Sequence, residues 1–174
     1  MWYFWVVSIF LFYLFAVLQN SFLVHSNFFS IVPNLVFIFF FLLTYFSAYD
    51  RNLKRSYRVI IFAIVAGLFI DIFSSTHLGV SITILIIVGL AAKKMQFSLL
   101  QKKEKYSISQ FLSLFLIWLI VYELLFAAYL RFINPMRIPL TFNWATLLEL
   151  SYNLLWAAIG FYIFKFFKFH EKRV

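Results

Sequence analysis

The 174-residue chain has no cysteine, four glycines, three prolines and only six acidic residues. Without cysteine there are no disulfides, no thiolate metal ligands and no Cys nucleophile. No Gly/Ser linker, internal repeat or low-complexity segment interrupts the chain. Charged residues make up 12% of it, about half the share that the water-facing surface of a soluble domain requires. That shortage excludes a cytosolic enzyme, a disordered chain and a secreted disulfide scaffold. In their place stand 65% hydrophobic residues, 26 of the residues being Phe, and a mean hydropathy of +0.96. The composition is that of an all-α integral membrane protein.

The apolar runs are Trp2 to Leu18, Ile31 to Phe46, Val59 to Phe73, Leu78 to Ala92, Phe111 to Leu130 and Phe142 to Phe164. A helix needs about 20 residues to cross the hydrocarbon core, with a range of roughly 17 to 25. Allowing for flanking residues, the runs predict one domain over 1–174 with six spans, near 2–22, 29–48, 58–74, 77–94, 108–130 and 142–165. The third and fourth runs are 15 residues each. Snorkelling Arg58, Lys93 and Lys94 extend them, and Ser74 to His77 supply the turn of a tight hairpin. A re-entrant pair is the alternative for these two. The first run has no basic n-region and no small-x-small cleavage site, so it reads as a span rather than a signal peptide.

The charges orient the bundle. Arg51, Lys54, Arg55 and Arg58 lie between the second and third runs. Lys93, Lys94, Lys102, Lys103 and Lys105 lie between the fourth and fifth, and Lys165, Lys168, Lys172 and Arg173 follow the sixth. Thirteen basic residues thus share one side of a six-helix arrangement, against Arg131 and Arg137 on the other. The positive-inside rule makes the thirteen, and both termini, cytoplasmic. The pI near 9.9 would otherwise raise nucleic acid as a partner. Basic clusters abutting apolar helices instead predict contact with anionic membrane lipids.

Three carboxylates lie within apolar runs: Asp71, Glu123 and Glu149. A charge at mid-bilayer costs about 3 kcal/mol or more, so each is expected to face the protein interior or an interface. Asp71 follows Gly67 by four and Ala63 by eight, a small-residue stripe that lets a neighbouring helix approach closely. Asp71 is open to two readings, a cation or proton site and a structural hydrogen-bond acceptor for the turn. Gly79, just inside the fourth run, is expected to touch the third helix, where a side chain would push the pair apart. Glu149, Asn153, Trp156 and Gly160 share one face of the sixth helix. Glu123 has Ala127 one turn on and Tyr122 beside it, and Ser8 and Gln19 mark a similar face of the first. These residues predict a buried polar seam of Glu123, Glu149 and Asn153, serving either as a substrate pocket or as a packing core. The phenylalanines, spread round every helix, read as lipid-facing bulk. No His/Glu metal spacing, G-x-S-x-G elbow, P-loop or catalytic acid pair occurs. Neither an enzyme nor a cofactor-binding protein is predicted.

The stretch Gly67-Leu68-Phe69-Ile70-Asp71-Ile72-Phe73-Ser74-Ser75-Thr76-His77-Leu78-Gly79-Val80 resembles the signature of the MreD family of bacterial rod-shape-determining membrane proteins. That family carries Gly, a few aliphatics, Asp, then a small polar turn and Leu-Gly at this spacing. Leu18-Gln19 at the end of the first run and Pro33-Asn34 at the start of the second also match its pattern. Ser75 departs from it, many members having Gly there, although a small residue still permits the turn. The resemblance is specific from about Gln19 to Ala92 and architectural beyond.

The resemblance implies a non-enzymatic scaffold of the elongasome in the bacterial inner membrane. Its direct partner would be an MreC-like protein. Through that protein it would meet MreB, RodA and the elongation transpeptidase in lateral peptidoglycan synthesis. It also implies a bundle like the substrate-binding subunits of ECF vitamin transporters, so a small-molecule-binding transporter subunit is the competing class. Such a subunit would dock its coupling partner through an Ala-x-x-x-Ala face on the first helix. Here Ala16 stands alone among Phe, Leu and Tyr, which favours the scaffold.

Overall fold

The computed structural model describes residues 2–24, 31–47, 56–74, 77–100, 107–133 and 144–170. Among them are six α-helices and no strand: α1 Trp2–Val17, α2 Leu35–Ser47, α3 Ser56–Phe73, α4 Val80–Leu100, α5 Ile108–Ile133 and α6 Trp144–His170. The end of α1 widens into a π-helical segment, Leu18–Leu23, within which Asn20 Nδ2 donates to the Ala16 carbonyl at 2.9 Å. Among the described residues, three segments are long and apolar enough to cross a membrane: Trp5–Leu23, Ile108–Ile133 and Trp144–Phe166. The loop residues Arg51, Lys54, Arg55, Ser75, Lys102, Lys103, Lys105, Arg137, Lys172 and Arg173 lie outside the described residues.

The second helix is shorter than its apolar run. Residues 31–34 are not helical, because Asn34 caps the helix: its Oδ1 accepts the Phe37 amide at 3.0 Å. The remaining 13 residues rise only about 20 Å. All but the last of them are buried, so α2 is the centre of the bundle, touching α1, α3, α4 and α6 and packing its rings edge-on or tilted against Phe115 of α5. The fourth helix starts later than its run and continues to Leu100.

This central placement corrects the reading of phenylalanine as lipid-facing bulk. Phe37, Phe39, Phe40, Phe41 and Phe46 of α2 are buried, as are Phe12, Phe62, Phe111, Phe115 and Phe161. Phe37 packs on Phe115 at 5.8 Å and on Tyr122 at 4.9 Å between centroids, and Phe111 packs on Phe161 at 5.0 Å. Rings at these offsets gain about 0.5–1.5 kcal/mol per pair beyond burial. An aromatic cluster built around one short helix therefore sits at the heart of the bundle core.

The closest helix pair is the antiparallel α3–α4 hairpin. Ala63 and Ala66 are fully buried, and a Cβ at Gly67 would come within 2.5 Å of the Ile82 backbone. A Cβ at Gly89 would meet Phe40 and Val59, both at 2.7 Å. Small residues thus set the approach, as they do where no hydrophobic force separates lipid from protein. Gly79 plays a different part from the one expected of it. It precedes α4, has φ of +101°, and a Cβ there would meet nothing within 4 Å. Its requirement is a backbone conformation that side chains disfavour, and the steric contact belongs to Gly67.

Candidate functional site

Three of the polar residues singled out by the sequence, Asp71, Asn34 and Asn153, converge at one end of the bundle. This end holds the C-terminus of α3 and the N-termini of α2 and α4, and α6 reaches it at Asn153, as the pairings of Asp71 with Ser81 and of Asn34 with Asn153 show. Asp71, Asn34 and Asn153 each accept an amide at the start of a helix that would otherwise lack a partner.

Asp71 is 1% exposed. Its Oδ2 accepts the Gly79 amide at 2.7 Å and its Oδ1 accepts the Ser81 amide at 3.0 Å. Ser81 is the second residue of α4, so Asp71 caps α4 from the preceding helix, and a carboxylate at that N-terminus also meets the positive end of the helix dipole. Gly79 makes the cap possible, because its positive φ turns the chain so that both amides point back at Asp71. The Gly79 carbonyl then accepts the Thr83 amide at 3.0 Å and its hydroxyl at 2.7 Å.

Asn34 and Asn153 form the second half of the site. Asn153 is buried; its Oδ1 accepts the Asn34 amide at 2.8 Å and its Nδ2 donates to the Glu149 carbonyl at 3.0 Å. One side chain thereby ties α6 to the start of α2. The Tyr122 hydroxyl approaches the side chains of Asn34 and Ser81, although the Ser81 hydroxyl makes no hydrogen bond of proper geometry. Tyr122 thus stands between the two halves, and the whole is a polar belt over five helices. Pro33 is buried beside it, and its carbonyl accepts the Leu35 amide at 3.0 Å. Gln19 sits apart in the π-helical segment, with a buried Oε1 that accepts from no described group.

The predicted seam of Glu123, Glu149 and Asn153 is corrected. Only Asn153 is buried; Glu123 and Glu149 are exposed. At 100° per residue, Glu123 lies 100° round α5 from the buried Tyr122, and Glu149 lies 80° round α6 from the buried Ala157. Sharing a stripe by i, i+4 spacing does not keep a residue on the buried face, because each such step drifts 40°.

Two polar contacts at the opposite end were not foreseen. Gln96 of α4, 2% exposed, donates from Nε2 to the Tyr45 carbonyl at 2.9 Å. The Tyr45 hydroxyl in turn donates to the Ser107 carbonyl at 3.4 Å. The available signal was Gln96 itself, a neutral polar side chain one turn beyond Ala92 on a helix face of small residues.

An apolar crevice of about 350 Å³ opens between the end of α1, α2 and α6, with Phe15, Leu18, Phe39, Trp156, Gly160 and Phe164 in its walls. Its walls are aliphatic and aromatic throughout, and Asp71, Asn34 and Asn153 are not among them. The polar belt therefore does not line it. Among the described residues no group of three or more His, Asp or Glu is placed to hold a metal ion. Compared with protein-family models, with curated proteins and with solved structures, the chain matches none.

Proposed function

We propose that the chain is an MreD-like, non-enzymatic scaffold of the cell-elongation complex in the bacterial inner membrane. In this reading it crosses the membrane six times with both termini cytoplasmic, in the manner of an ECF substrate-binding subunit. It joins an MreC-like protein to the MreB, RodA and transpeptidase machinery of lateral peptidoglycan synthesis. The observation that carries the proposal is the use made of the signature residues. Gly67 seats α3 against the Ile82 backbone, and Asp71 and Gly79 close the turn and cap α4. Both carboxylate oxygens of Asp71 are held by backbone amides, which suits a rigid partner-binding hairpin better than a site with a mobile ion.

A vitamin-binding subunit of an ECF transporter is the second reading, and the crevice between α1, α2 and α6 is what favours it. Its apolar walls supply no polar groups to orient a vitamin, where ligand pockets place a few, and this leaves the scaffold ahead. Affinity purification of the tagged protein in mild detergent tests the choice. Recovery of an MreC-like protein supports the scaffold, and recovery of an energy-coupling ATPase in its place overturns it.

A further inference from the structure

The end of the α3–α4 hairpin opposite Asp71 carries two cations that lack counter-charges among the described residues. The register of the hairpin places them together. Gly67 lies at Ile82 and Val59 lies at Gly89, so Arg58, next to Val59, falls at the level of the α4 turn that holds Lys93. Lys93 is four residues beyond Gly89 and shares its α3-facing side. Arg58 stands near enough for its charge to bear on Lys93. Arg58 Nε and Lys93 Nζ are both shielded from solvent, and neither hydrogen-bonds to any described group. Gln96, one turn further, is already committed to the Tyr45 carbonyl.

Two like charges side by side on half-buried residues, each with a shielded nitrogen that has no acceptor, are unfavourable, and an anion between them relieves both costs. The pairing of types indicates which anion. A guanidinium offers a planar fork of donors and an ammonium a compact charge, and the combination matches the tetrahedral oxygens of a phosphate. Around the pair, Ile61, Leu90 and Met95 are exposed apolar side chains, a surface suited to acyl chains.

We propose that Arg58 and Lys93 form a binding site for a phosphate-bearing anion at the basic end of the α3–α4 hairpin. The anion can reach it as the headgroup of an anionic phospholipid or as free phosphate. The site asks nothing of the scaffold reading and stands or falls separately from it.

The test uses the full chain, purified in zwitterionic detergent and equilibrated with mixed micelles of phosphatidylglycerol and phosphatidylcholine. Retained lipid is counted by native mass spectrometry. The wild-type protein is expected to retain phosphatidylglycerol selectively, and Arg58→Gln or Lys93→Gln to lower that selectivity about tenfold each, the loss of one charge-assisted hydrogen bond. Lys94→Gln, which removes an exposed charge from the same helix, is expected to leave it unchanged. Lys93→Met guards against a folding artefact. It removes the repulsion while keeping the apolar stem, so it is expected to equal or exceed the wild-type protein in stability without anionic lipid and still lose selectivity. Inorganic phosphate separates the two sources. Retained lipid that phosphate does not displace assigns the headgroup, and phosphate binding that needs Arg58 and Lys93 without lipid selectivity assigns the free anion. Equal losses in Lys94→Gln and Lys93→Gln, or no preference for either anion, would overturn the site.

Discussion

Replacing Asp71 tests whether its carboxylate is a cap or a titrating site. Its two oxygens accept the amides of Gly79 and Ser81 at 2.7 and 3.0 Å in a position 1% exposed. Asp71→Leu fills the space but leaves both amides without an acceptor. At about 1–3 kcal/mol for each buried donor left unpaired, the loss is roughly 2–6 kcal/mol. Asp71→Asn keeps one carbonyl acceptor and turns an NH2 group toward the other amide. It is expected to lose one of the two bonds, about 1–3 kcal/mol, and to fall between the wild-type protein and Leu. The measurement is reversible unfolding in mixed detergent micelles, with complementation of a shape-defective strain and membrane levels scored in parallel. A cap predicts that activity follows the amount of folded protein through the series. A stable, well-inserted Asp71→Asn protein that leaves the cells round would refute this reasoning and assign the charge itself a role in transport.

Three further predictions address the packing. Gly67→Ala drives a Cβ into the Ile82 backbone and is expected to destabilise the hairpin by about 1–3 kcal/mol. Gly79→Ala meets no atom but must hold φ at +101°, costing about 1–2 kcal/mol; thermal unfolding of both variants in detergent separates crowding from backbone strain. Asn153→Leu removes the tie between α6 and α2 and is expected to cost about 1 kcal/mol, whereas Glu123→Leu and Glu149→Leu, on the exposed faces, leave stability unchanged or raise it in the same unfolding assay. Reporter fusions check the topology: one after Val174 is expected to read cytoplasmic, and those near Asn27 and Arg137 external, while a cytoplasmic signal at Arg137 would refute the six-span arrangement.

The belt was legible in the sequence only where a residue type announces its own environment. An Asp near the end of an apolar run, preceded by Gly67 and followed by Gly79, marks a turn that must satisfy a carboxylate and a helix start together. Asn34 after Pro33 is a helix cap by residue type. Asn153 could be placed on the right face of α6, but its partner, the Asn34 amide 119 residues away, is outside the reach of local reasoning. Tyr122 and Ser81 join the same belt through contacts between α4 and α5 that no spacing encodes.

The apolar runs by themselves determined that this chain is helical and of membrane character, because a stretch of that length with at most one carboxylate can satisfy its backbone in lipid only as helix. The basic residues determined an expected orientation by their positions alone. Only the tertiary structure decided that α2 lies at the centre with nearly all of its side chains buried, that Phe37 and Phe115 meet inside while Phe132 faces outward, and that Glu123 and Glu149 leave the seam. In water, burial rewards apolar residues and so writes the inner face of each helix into its periodicity. In a bilayer the surrounding lipid is as apolar as the core, so a phenylalanine gains similar solvation on either side. What then selects the inner face is close fit, at Ala63, Ala66, Gly67 and Gly89, and the hydrogen bonds of the few polar groups, neither of which exists until the helices are in contact.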